Sequence, residues 1–147
     1  MKPTQLLLSC FIFLLSSCQY SKGVKKDLAT GLSANYNGFA MDEIFLVDSD
    51  KKRLTNNIVP LGNTVYVIAT GVKNYTEEDG KVFPGCTIVL TDKNKKQLLN
   101  LPDAFAEMSQ GLPPEEAVNL QASLNTGSPM VAGETYYLAV RFFDKKK

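Results

Sequence analysis

The chain has no histidine and no tryptophan, and only three cysteines among its 147 residues. Without histidine it lacks the side chain that most often acts as a general base near neutral pH, so no Ser-His-Asp or Cys-His pair can form. Zinc loses its commonest nitrogen ligand as well, and the cysteines are too few to replace it. No nucleophile elbow of the G-x-S-x-G type, Walker loop or G-x-G-x-x-G turn occurs. Sixteen basic residues against fifteen acidic ones leave no excess charge for a phosphate backbone, which argues against nucleic acid as a partner. These absences lead to the expectation of a protein that is not an enzyme and needs no cofactor.

What is present starts at the N-terminus. Lys2 precedes an apolar stretch from Leu6 to Leu15, broken only by Ser9 and Cys10, which closes on Leu15-Ser16-Ser17-Cys18. This is the charged, apolar and small-residue order of a secretory signal peptide. The stretch is half of the roughly 20 residues that a membrane-spanning helix requires.

Leu15-Ser16-Ser17-Cys18 resembles the lipobox of bacterial lipoproteins, with a large aliphatic residue three positions before the cysteine and small residues between. The resemblance implies that residues 1–17 are removed and that Cys18 becomes the first residue. It also implies acylation on the sulfur and the amino group. Each buried methylene contributes about 0.8 kcal/mol, so two or three acyl chains hold a protein to a bilayer without a transmembrane helix. The expected location is a membrane outside the cytoplasm. Because Gln19 stands where inner-membrane lipoproteins resemble one another in carrying Asp, the resemblance implies the outer membrane in a host with two.

Cleavage before Cys18 would leave 130 residues with fifteen basic and fifteen acidic side chains, enough for one domain. Cys86 would then be the sole thiol, and no internal disulfide could form. It alternates with Ile88 and Leu90 and is read as a buried apolar filler. Residues 18–38 are rich in Lys, Ser, Gly and Asn and are read as the lipidated N-terminus and a flexible tether, able to stand the domain off the membrane by tens of ångströms. Lys22, Lys25 and Lys26 are read as solvated linker charges.

Residues 39–147 carry the strand signals. Ile44-Phe45-Leu46-Val47, Asn63 to Thr70, Cys86 to Thr91, Gln97 to Leu99, Val118 to Leu124 and Thr135 to Phe143 are β-branched, aromatic or strictly alternating, with turn residues between them. Along the last, Tyr136, Leu138, Val140 and Phe142 face one way and Tyr137, Ala139, Arg141 and Phe143 the other. A strand with aromatic residues on both faces belongs at the centre of a sheet or under a partner. Asp103 to Ser109 departs from this rhythm and predicts a short helix, with Asp103 as cap and Phe105 and Met108 on one face. The fold class expected is all-β, a two-sheet sandwich with one short helical insertion. The closing pattern Gly133-Glu134-Thr135-Tyr136 resembles the last strand of immunoglobulin-like bacterial modules, which implies an immunoglobulin-like sandwich.

Two function classes follow. In the first, a tethered non-catalytic module binds a protein, peptide or glycan of the envelope through loops. Tyr75 and Phe83, flanking Glu77-Glu78-Asp79, and the Phe105–Met108 face are the candidates, with ordinary core packing as the other account of these side chains. In the second, the chain is a structural or assembly subunit docking by a sheet edge or by the face around Tyr137 and Phe143. Glu77-Glu78-Asp79 and Glu115-Glu116 are read as acidic loops. Asp48-Ser49-Asp50 and Asp92-Lys93-Asn94 offer hard oxygen ligands for calcium, but Asx turns explain both equally well. Lys145-Lys146-Lys147 is read as a solubilising end.

Overall fold

β-branched and aromatic side chains suit a pleated, half-buried surface, and the runs rich in them form the strands. The computed structural model describes residues 22–147, so Cys18 and the signal sequence lie outside the described residues. Among the described residues eight strands are present: β1 Lys22–Lys26, β2 Ser33–Asn37, β3 Glu43–Val47, β4 Thr64–Thr70, β5 Pro84–Asp92, β6 Gln97–Leu101, β7 Leu120–Asn125 and β8 Tyr136–Asp144. They form two packed sheets, one ordered β1-β2-β8-β5-β6 and the other β3-β4-β7. All pairings are antiparallel except β2 with β8, which run parallel with Ala34 opposite Val140 and Asn37 opposite Phe143.

The core lies between the sheets. Phe39, Ile44, Val67, Ile88 and Phe142 are fully buried in it, and Cys86 sits among them on the inward face it shares with Ile88 and Leu90. Burial pushes the Cys86 thiol up to about 12, with the Asp103 carboxylate adding to the shift, so it stays a neutral apolar filler. Alternation holds along β7, where Leu120, Ala122 and Leu124 are buried and Gln121, Ser123 and Asn125 are exposed.

Three sequence expectations need correction. The stretch read as a flexible tether is structured from Lys22 to Asn37, as a hairpin added to the five-stranded sheet. Its inward-face residues are the small Gly23 and Ala34 with Lys25 and Tyr36, so the hydrophobic signal is thin. The Tyr36 ring lies across Gly23, where a Cβ would collide with it. Lysines on β1 suit an edge strand, which charge protects from pairing with another chain. Second, no helix forms at 103–109. That stretch is a series of turns, with Ala106 N–H donating to Asp103 O (3.4 Å) and Met108 N–H to Phe105 O (3.0 Å). Pro102 and Pro113 leave too short a segment to offset helix nucleation, and the Asp103 carboxylate also holds a strand amide, that of Cys86 at 3.1 Å. One turn of 3-10 helix does occur, at Pro114–Ala117. Third, Val118 is 40% exposed and caps that turn, so the strand starts two residues later.

Candidate functional site

The four side chains expected to bind a partner are placed near one end of the sandwich but do not share an open surface. Tyr75 is packed on Phe39 with ring centroids 5.0 Å apart, and its hydroxyl donates to the Ala117 carbonyl at 3.0 Å. Burial pushes its phenol well above the usual tyrosine range, with the Asp144 carboxylate adding to the shift. Phe105 is 4% exposed and lies 6.3 Å from the Phe142 ring. Phe83 is half-buried, with the Lys146 ammonium 4.5 Å from its ring centroid. Met108 alone is exposed. Three of the four are therefore engaged in packing.

Lys145-Lys146-Lys147 is not a free basic end. The Lys145 ammonium contacts the Asp103 carboxylate at 2.6 Å and donates to Phe105 O at 2.9 Å. Lys146 pairs with Glu78 at 2.6 Å, and Lys147 donates to Gly38 O at 2.6 Å and Asn74 O at 3.0 Å. Beneath them the buried Asp144 carboxylate accepts from the amides of Thr76 (2.7 Å) and Lys146 (3.0 Å). The three lysines thus tie together three connections that converge where β8 ends. Sequence reading missed this because a basic run carries no mark of its partners, which lie 40 or more residues away.

Two acidic side chains make stability depend on pH. Burial opposes ionisation of Asp103, but hydrogen bonds from Lys145, Cys86 and Phe105 outweigh it and hold its carboxyl below the usual range. Burial likewise opposes ionisation of Asp27, and the donors Thr30, Ala29 and Arg53 outweigh it. A carboxyl lowered on folding contributes stability that is complete above its unfolded value and is lost as pH falls through the folded one. The midpoint of urea unfolding is therefore expected to drop when pH is lowered from about 6 to about 3, with a smaller drop in Asp103→Asn. An equal drop in that variant would contradict this role.

The two acidic turns have the same build. Asp48 Oδ1 accepts from the amides of Asp50 (3.0 Å) and Lys52 (2.9 Å), and Asp92 Oδ1 accepts from those of Asn94 (2.8 Å) and Lys96 (2.9 Å). Lys51 and Lys95 take the same left-handed conformation, at φ 62° and 64°. Each carboxylate is occupied in ordering its own turn, which supports the Asx-turn account over a calcium loop. Among the described residues, no group of three or more acidic or cysteine side chains is gathered as a metal ion would need. A shallow open groove of about 350 Å³ lies beside the second turn, between Asp92, Lys96 and Leu98 on one side and Pro129, Val131 and Tyr136 on the other. A Lys93–Glu134 ion pair at 2.8 Å spans its charged side chains.

The outer face of the five-stranded sheet carries side chains with binding chemistry. Tyr137, Ala139, Arg141 and Phe143 of β8 point outward from the middle of this sheet, as the sequence predicts, and Tyr137 is 59% exposed. They lie opposite Thr91, Val89, Thr87 and Gly85 of β5. Phe143 lies flat because its ring crosses Gly85, the one residue type with no Cβ to block it, and the Arg141 guanidinium sits 5.7 Å from that ring. Asn35 of β2 is next to Arg141, and Val24 of β1, 52% exposed, is next to Asn35. Arg141 and Phe143 are in contact and Tyr137 shares their face, and Tyr and Arg are side chains that often carry binding energy at interfaces. Asn35 and Val24 were missed because their segment was read as tether. No protein-family model matches the chain, and none of the curated proteins or solved structures compared with it matches either.

Proposed function

We propose that the protein is a lipoprotein, anchored through Cys18 outside the cytoplasm, whose domain is a non-catalytic module that docks on an envelope protein through the outer face of its five-stranded sheet. The observation that carries the docking surface is the outward row at the centre of that sheet, in which Tyr137, Ala139 and Arg141 are exposed and Phe143 is half-buried. Of the two function classes raised by the sequence, this arrangement favours the assembly subunit over the loop binder, since Tyr75 and Phe105 are packed into the domain. The anchor rests on the lipobox resemblance, and an outer-membrane location on Gln19.

An immunoglobulin-like sandwich is supported by the connectivity from β3 to β8. β3, β4 and β7 form one sheet while β5, β6 and β8 belong to the other, so the chain crosses between sheets after β4, β6 and β7. This matches the placement of the first, second and fifth strands of such a module against its third and sixth. The place of the seventh strand is filled by β2, which runs parallel to its neighbour.

The test is a photoreactive residue at Ala139 of the full-length protein in intact cells. A discrete cross-linked species is expected from that position and not from Asn94, and Arg141→Glu is expected to remove it. Cross-linking from Asn94 alone, or an adduct at Ala139 unaffected by Arg141→Glu, would contradict the sheet-face reading.

A further inference from the structure

From the strand register and the position of the lipobox, we infer that the end of the sandwich bearing Lys145–Lys147 and the loop at Glu77–Lys81 lies against the lipid headgroups, with the Asp92–Lys96 turn pointing away. This rests on the proposed acylation of Cys18. The strand register places the chain's entry point: Lys22 pairs with Asn37, Asn37 with Phe143, and Phe143 with Gly85. Lys22 therefore enters at the end where β8 leaves and β5 begins. That same end carries the connection from β4 to β5 and the turns after β6, since Val82 bridges to Leu112.

Four Cα steps separate Cys18 from Lys22, which allows a reach of at most about 14 Å. A twenty-residue tether would have let the domain rotate freely at several times that distance, but the β1–β2 hairpin takes up most of that length. β8 spans about 26 Å from Tyr136 to Asp144 at roughly 3.3 Å per residue, longer than the reach of the anchor. For the far end, with the Asp92–Lys96 turn opposite Tyr136, to stand nearer the bilayer than the entry point, the domain would have to invert past its own anchor. The outer sheet face then stands at the side, beside the membrane, where a second envelope protein can reach it.

The experiment uses the full-length lipidated protein reconstituted in phosphatidylethanolamine–phosphatidylglycerol vesicles carrying a headgroup-linked acceptor dye. A donor dye is attached through Glu77→Cys in one sample and Asn94→Cys in another; both side chains are exposed, and the native Cys86 is buried. Energy transfer is expected to be several-fold stronger from position 77. A Gly-Ser insertion of about twelve residues after Gln19, which extends the reach of the flexible link, is expected to abolish the difference. Equal transfer from both positions in the protein without the insertion, or stronger transfer from position 94, would overturn the inference while leaving the anchor intact. Failure of the protein to float with the vesicles would reject the lipoprotein reading itself, and the orientation with it.

Discussion

Phe142→Ala is expected to destabilise the domain by about 3–5 kcal/mol, the range for truncating a buried aromatic side chain. Phe142 is fully buried in the strand that joins β2 to β5, and its ring meets Phe105 from the turns after β6. Truncation leaves a void bordered by both sheets, and strands fixed by β8 pairing on either side cannot close over it. Its neighbour Arg141 points outward, so Arg141→Ala is expected to change stability by no more than about 0.5 kcal/mol. Urea denaturation of the domain from Lys22 onward would compare the two variants. Equal effects would contradict the assignment of Phe142 to the inner face and Arg141 to the outer face of β8.

Cys18→Ser is expected to abolish incorporation of labelled palmitate and to release the protein from the membrane fraction. The large effect follows from the proposal that Cys18 is the attachment point, since surface charge alone cannot replace acyl chains; among the described residues no helix is long and apolar enough to cross a membrane. Undiminished labelling of the variant would place the lipid elsewhere.

The β-rich fold was legible because its strands carry their pattern locally. In β7, and in β8 up to Phe142, each inward residue is apolar or aromatic and the turns are marked by Gly, Asn or Asp, so the alternation can be read without knowing what lies opposite. β1 and β2 were not legible, because Gly23 and Ala34 reveal their inward role only when Tyr36 and Val140 are seen beside them. The same distinction separates the candidate site residues. Tyr137 and Phe143 could be assigned to an outer face by counting along β8. The packing of Tyr75 on Phe39 and the pairing of Lys145 with Asp103 are long-range contacts, which no local pattern encodes. Asp103 shows the limit from the other side: its capping chemistry was recognised, but its carboxylate serves a turn and a neighbouring strand instead of a helix.

Anchoring by lipid is the proposal on which the location and the orientation depend. Mass spectrometry of the protein extracted from membranes with detergent tests it most directly. The account predicts that the N-terminal peptide begins at Cys18 and carries a diacylglyceryl group on sulfur with a further acyl chain on nitrogen where the host adds one. A membrane-extracted protein with an unmodified Cys18 thiol, or one still carrying residues 1–17, would contradict it.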